Sequence, residues 1–387
     1  MNQESPSYDA GVSSTFIKRL DVVPYLDAAN IRGRYVGLMP LWDGQRWHLW
    51  IPLPTGELMT MHPVETVRTD YVAKAPARPD DLAIWFVEIM WQHLSYVDIH
   101  HLTSAIRGAF HKLGTCVAKL KHLHVNRASV GHAASDFAAA ELEHIAITAR
   151  TVYDLLQEAM SVLWQNHVQL ADPVQEAARK GSALPATFSK MVLHDKKRKR
   201  SKDEIVERFK LPQKIAAAYA ELAPDFMSLR DTRDRIIHSG VGVQHVYSTD
   251  RGFCVDPGDP AFRGCEWQDV HRFGQNLVSV LPWIAKVVLT TIGACNALLR
   301  SFVETIQPSP ALAPGYRVFV RGPSTAVLLE ALSVMDGASP WWSAASSDPT
   351  VEDRIKQRAY FLWEQRSEGA PGDALSDWVN AEMIERG

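Results

Sequence analysis

Ile99-His-His-Leu102-Thr-Ser-Ala-Ile106-Arg-Gly-Ala-Phe110-His-Lys-Leu113-Gly-Thr-Cys-Val117-Ala-Lys-Leu120-Lys-His-Leu123 places an apolar side chain at every third or fourth position. That rhythm follows the 3.6-residue turn of an α-helix with one buried face. Leu142, Ile145, Ala149, Val152, Leu156, Ala159 and Leu163 repeat it. A third run passes through Pro212, Ile215, Tyr219 and Leu222, is interrupted at Pro224, and resumes with Phe226 and Leu229. The fourth is the longest: Val270, Phe273, Leu277, Val280, Ile284, Val288, Thr291, Cys295, Leu298 and Phe302, with Pro282 expected to kink it. No helix of this kind buries its stripe alone. Four of them predict a mainly α chain built on an antiparallel four-helix bundle, with helices near residues 97 to 124, 137 to 168, 213 to 238 and 268 to 305.

The flanking segments read differently. Residues 1–30 read as a mobile N-terminal tail, and 31–80 as a small antiparallel β element in which Asp43-Gly44 suits a two-residue type I′ turn. Trp42, Trp47 and Trp50 are expected to pack against a neighbouring layer rather than form a stacking face. The bundle then spans 81–306. Two insertions interrupt it, a polar stretch from Asp172 to Lys210 and a short hairpin between Val241 and Cys265. Residues 307–350 read as a linker and irregular segment because of Pro308-Ser-Pro310-Ala-Leu-Ala-Pro314-Gly, with a short strand at Tyr316 to Val320. Residues 351–387 read as two short helices around a Gly and Pro turn, with Tyr360, Trp363, Leu375 and Trp378 as a mini-core.

Composition narrows the class of function. The chain has 387 residues, enough for a real core, and 41 Lys and Arg stand against 44 Asp and Glu. With no global basic field, any nucleic-acid contact comes from local patches. Four cysteines without a C-x-x-C pair argue against a thiolate zinc site or a disulfide framework, and the expected compartment is the cytoplasm. The most apolar stretch, Leu277 to Leu299, carries Lys286, and a central lysine costs about 2.5–3.5 kcal/mol in a bilayer. A core helix, not a membrane span, is expected there. No Walker-type loop, dinucleotide fingerprint or G-x-S-x-G elbow occurs, and no cofactor is expected.

Chemistry concentrates at Arg230-Asp-Thr-Arg233-Asp234-Arg-Ile-Ile-His238-Ser-Gly240. Asp234 and His238, four apart, share a helix face, whereas Arg233 and His238 lie about 140° apart on an ideal helix. The latter two converge only if the helix ends near His238 or two copies meet. Gly240 suits such an end.

Arg233 to His238 resembles the R-x4-H signature of the HEPN superfamily, helical bundles that include metal-independent ribonucleases and inactive relatives. Glu141, Arg150 and Asp154 fall in a stretch similar to the first long helix of such proteins, and Leu184-Pro-Ala-Thr-Phe-Ser resembles a loop that precedes their motif helix. The resemblance implies a homodimer that cleaves RNA by attack of the 2′-hydroxyl. In it Arg233 holds the scissile phosphate, His238 transfers the proton and Asp234 positions them. The C-terminal block resembles a small bacterial helical domain of unknown function over residues 351 to 385, and would serve as a contact for a protein partner.

A second reading stays open. Arg230 with Asp234, and Asp231 with Arg235, are i,i+4 charge pairs of the kind that decorate any exposed helix. Arg233 is then an interior ion-pair residue, with Asp154 or Glu141 as its partner, in a non-catalytic scaffold. Lys196, Lys197, Arg198, Lys199, Arg200 and Lys202 form a basic run suited either to RNA phosphates or to a solvated loop. Glu141-x-x-His144 has the spacing of a di-iron ligand pair, but its only approximate mate is Asp98-x-x-His101, so no metal is expected.

Overall fold

A computed structural model describes residues 20–170, 172–195, 198–239, 242–306, 308–342 and 382. The C-terminal helix pair expected over 351–387, Glu382 apart, and the first part of the N-terminal tail lie outside the described residues. Residues 20–30 are not a tail. Leu20, Val23 and Tyr25 are buried, and the Tyr25 hydroxyl donates to the Met39 carbonyl at 2.8 Å, so this segment is held to the body of the fold.

The protein is mainly α. Among the described residues its α-helices of five residues or more are α1 (Trp85–Gln92), α2 (His100–Val125), α3 (Ala133–Asn166), α4 (Pro173–Lys180), α5 (Phe188–Val192), α6 (Lys202–Phe209), α7 (Gln213–Asp234), α8 (Leu281–Val303) and α9 (Thr325–Leu332). Helix α3 is central and packs against α2, α7 and α8, while α8 also packs against α7 and α9. The apolar stripe read along α3 is fully buried, as are Ile106, Leu113, Val117 and Leu120 of α2. Leu281–Val303 is long and apolar enough to cross a bilayer by length and composition, yet Ile284, Val288, Thr291, Cys295, Leu298 and Phe302 are buried against the other helices.

The fourth helix starts later than its periodicity suggests. Val270 is 61% exposed, and Arg272–Phe273 and Leu277–Ser279 are paired strands, with Gly274 at φ +65° reversing the chain between them. Apolar residues three or four apart fit a tight hairpin here because the turn breaks the helical path. Pro282 produces no kink. It lies in the first turn of α8, where its missing N–H has no intrahelical partner to lose.

Pro224 behaves oppositely, since α7 runs through it with the ring exposed in mid-helix. Replacing it with alanine restores an N–H donor and removes a clash with the preceding turn. The gain of about 3 kcal/mol is offset by about 0.4–1 kcal/mol of unfolded-state freedom regained. Pro224→Ala is therefore expected to raise the urea midpoint by an amount equivalent to about 2 kcal/mol; an unchanged or lowered midpoint contradicts this.

The β element is larger than the sequence suggests, and mixed. Strands β1 (Leu41–Trp42), β2 (Trp47–Pro52), β3 (Leu58–Met61) and β4 (Thr69–Ala73) are joined by a strand from far down the chain, Arg317–Arg321, in the order β3-β2-β1-β4 and then that strand. The β1–β4 pair is parallel; the others are antiparallel. The turn between β1 and β2 is shifted by one residue from expectation. Asp43 N–H donates to the Arg46 carbonyl, which leaves Gly44 and Gln45 central, with only Gly44 at positive φ (+103°). Asp43 instead caps the turn, its Oδ1 accepting from the N–H groups of Gln45 and Arg46. Trp47 is buried edge-on to Tyr71, in keeping with a packing role.

A second sheet holds β5 (Val246–Ser248), β6 (Phe253–Val255), β7 (Arg272–Phe273) and β8 (Leu277–Ser279), and β5–β6 is the hairpin read from the sequence. Arg317–Arg321 is β9. With Leu312, Ala313 and Val318 buried and α9 packed on α8 and α2, residues 308–342 belong to the body of the fold rather than to a spacer.

Candidate functional site

Aromatic packing fixes the helix that carries the candidate residues. Phe188, fully buried, sits 4.9 Å from Phe226 of α7 and 5.1 Å from Tyr153 of α3, and Tyr153 lies 5.8 Å from Phe226. Asp154 accepts from the Phe188 backbone N–H at 3.2 Å through one oxygen and from Arg150 at 2.7 Å through the other. The Arg150 guanidinium in turn lies 4.4 Å over the Phe226 ring. Asp154, Arg150 and the loop ahead of α5 thus form one device that clamps α7 to α3.

Beyond this clamp α7 changes geometry. It ends at Asp234 and continues as a π-helical turn, Arg235–Ser239. A π turn bonds each amide to the carbonyl five residues back, so it brings residues five apart towards one side. Arg233 and His238 are also five apart, with Arg233 in the last α-helical turn and His238 within the π turn. The helix ending expected at Gly240 lies outside the described residues. Val243, just past it, donates its N–H to Glu143 Oε1 of α3 at 3.0 Å, which ties the outgoing chain to that helix.

Arg233 does not point into the bundle. It is partly exposed and donates to Asp234 Oδ1 at 3.0 Å, while Arg230 Nε lies 3.4 Å from Asp234 Oδ2. Asp234 is therefore shared by two arginines. No hydrogen bond or ion pair joins it to His238 among the described residues, its two oxygens being held by the arginines, and His238 is exposed. Neither interior partner considered for Arg233 is used. Asp154 belongs to Arg150, and Glu141 pairs with Lys119 at 2.9 Å. A half-exposed guanidinium and an exposed imidazole on adjoining turns of one helix end can bind an anion and move a proton at the protein surface.

The basic run splits into unlike parts. Lys196 and Lys197 lie outside the described residues. Arg198 pairs with Glu204 at 2.9 Å, and Lys199 and Lys202 are exposed. Arg200 is buried, its backbone N–H held by the Val192 carbonyl at 2.8 Å. Ser201 then starts α6 with a capping box closed by Glu204. This run and its neighbours are less open than a solvated loop, since Leu184, Phe188, Met191, Val192, Ile205 and Phe209 are all buried.

Glu141 and His144 do have a third potential ligand nearby, Cys116 of α2, with donor atoms within 4.8 Å of one another. Sequence spacing could not have paired it with them, because the proximity arises from helix crossing. Burial, with help from Glu141, pushes the Cys116 thiol up to about 12, Glu141 already holds Lys119, and His144 is exposed. Asp98 accepts from Asn166 and contacts His167 at 2.8 Å, so it is engaged away from Glu141.

A family model described as a protein of unknown function, DUF2934, matches residues 350–384. The match covers the C-terminal block and leaves the helical body and its candidate site unassigned. Neither the curated proteins nor the solved structures give a match.

Proposed function

We propose that this chain is a HEPN-like, metal-independent endoribonuclease, an antiparallel four-helix bundle that acts as a homodimer in the cytoplasm. The observation that carries the reading is the π turn at Arg235–Ser239, which favours convergence of Arg233 and His238 at an exposed helix end. In this reading Arg233 exchanges Asp234 for a phosphodiester oxygen. His238 accepts the proton of the ribose 2′-hydroxyl as that oxygen bonds to phosphorus, and the 5′-oxygen leaves with a proton. One imidazole cannot be both base and acid in the same step, so a second copy supplies the acid. The buried Leu281–Val303 helix and the four unpaired cysteines suit a cytoplasmic protein without a membrane span.

The test is incubation of the full-length protein with structured and unstructured RNA in EDTA. Cleavage is expected to persist and to leave 2′,3′-cyclic phosphate and 5′-hydroxyl ends. Intact RNA across varied sequences, with folded and dimeric protein, overturns the reading. The Arg233–Asp234 pair favours the alternative of a non-catalytic scaffold, in which partners bind through the C-terminal block. That alternative requires the same RNA to remain uncut.

A further inference from the structure

We propose that the cleft that Arg200, Arg208 and Phe209 share with Arg230 of α7 is a binding site for a phosphate group. The cleft has a volume of about 500 Å³, within the range of small-molecule sites. Lys190, Arg200, Arg208 and Arg230, the last paired with Asp234, bring four basic side chains to its wall, His194 adds an imidazole, and Asp195 is the single carboxylate among the lining residues.

Arg200 distinguishes this cleft from a surface patch. It is 8% exposed, no carboxylate lies within ion-pair distance of it among the described residues, and its Nε has no hydrogen-bond partner. Its nearest aromatic support is the Phe209 ring, 5.9 Å away, a ring that Arg208 also approaches at 5.6 Å.

The other buried arginines among the described residues find acceptors: Arg34, 5% exposed, lacks a carboxylate and leaves its Nε unpartnered, but its two terminal nitrogens donate to the Pro310 and Gln92 carbonyls. Arg179, 7% exposed, holds both oxygens of Glu176 and the Trp164 carbonyl, and Arg321 holds Asp81 and Glu65. Burying a guanidinium without an acid is costly. The backbone bond to Val192 and the capping box that follows hold Arg200 in place, so the site is preorganised for an anion from outside. Burial, and then repulsion from Arg208, lowers the Arg200 pKa from its ordinary value, and a bound phosphate opposes both effects.

The cleft also adjoins the motif. Its wall residue Arg230 reaches Asp234, and Asp234 reaches Arg233, so an RNA backbone passing His238 would set a neighbouring phosphate beside the cleft. The site nonetheless rests on Arg200 and stands whether or not His238 cleaves RNA.

The experiment follows thermal unfolding of the full-length protein as inorganic phosphate replaces chloride at fixed ionic strength. A saturable rise in Tm is expected for the wild type. Arg200→Gln and Arg208→Gln should bind phosphate about ten- to a hundredfold more weakly, the cost of losing a charged hydrogen bond. Arg208 is exposed, so its variant keeps the test valid if Arg200→Gln folds poorly. Lys214→Gln, whose ammonium pairs with Glu304 and which does not line the cleft, should respond like the wild type.

A short RNA added to the same samples separates the sources. RNA that binds Arg208→Gln more weakly, with a log-log salt slope reduced by about 0.7, identifies a nucleic-acid phosphate. RNA that binds both proteins alike, while free phosphate still discriminates, supports the site with a small phosphorylated molecule as ligand. No saturable phosphate effect in the wild type, or an equal effect in all three variants, overturns the proposal.

Discussion

Asp81→Ala is expected to lower the unfolding free energy by about 3–5 kcal/mol, because it leaves the Arg321 guanidinium buried without its main counter-charge. Asp81 and Arg321 side chains are 0% and 2% exposed. Arg321 grips the carboxylate with two parallel bonds, Nε to Oδ1 at 2.9 Å and Nη2 to Oδ2 at 2.7 Å. The Tyr71 hydroxyl and the Arg78 backbone N–H add bonds of 2.6 and 2.8 Å to Oδ2. Only Glu65, which is largely open to solvent, would remain for the arginine.

Urea titration measures the loss. Adding Arg321→Met to the same chain should recover part of it, since an apolar side chain there leaves no buried charge. Burial pulls the Asp81 pKa up, but the bonds from Arg321, Tyr71 and Arg78 together hold it below the usual carboxylate range. A depressed folded pKa means the contribution is complete above the unfolded value of about 3.9 and fades as pH falls through the folded one. The gap between wild type and Asp81→Ala should accordingly narrow below about pH 4. A gap that stays constant to lower pH would show that packing, not the charge pair, sets the loss.

The second large effect belongs to His238. If RNA is the substrate, His238→Ala is expected to slow cleavage by about 10² to 10⁴ while RNA affinity holds, since the imidazole transfers a proton and does not carry the binding. Arg233→Ala should lose both rate and affinity, through the missing phosphate contact. Single-turnover cleavage read beside fluorescence anisotropy separates the two outcomes. The assignment is falsified if cleavage survives both substitutions unchanged.

The interior of the long helices was legible because burial is one-sided. Leu142, Val152 and Leu163 face the core, and a 3.6-residue rhythm is what a one-sided helix requires. The same rhythm misled at Val270 to Leu277, where a glycine turn reverses the chain between apolar residues that happen to be four apart. Strand β9 was read only as a short element within a linker. Its arginines resemble a surface strand, and the residue that buries Arg321 lies 240 positions earlier.

The candidate site divides similarly. Arg233, Asp234 and His238 were visible as residue types at a spacing, and the five-residue step itself hinted at something other than an α-turn. The π geometry and the sharing of Asp234 by two arginines depend on packing that no local pattern records. The Arg200 cleft was hidden for the same reason. Six basic residues within seven positions look uniform, and only the fold turns Arg200 inward.

Strand β9 has a consequence for biosynthesis. β4 emerges from the ribosome long before its partner, and at about 5–20 residues per second the nascent chain waits on the order of tens of seconds for Arg317–Arg321 to arrive. Until then the outer side of β4 displays unpaired N–H and C=O groups, a template for pairing with a neighbouring chain. The helices can form meanwhile, since their contacts are more local, but the sheet cannot close. A polypeptide cut short before Arg317 therefore keeps all four long helices and still presents the edge that promotes aggregation.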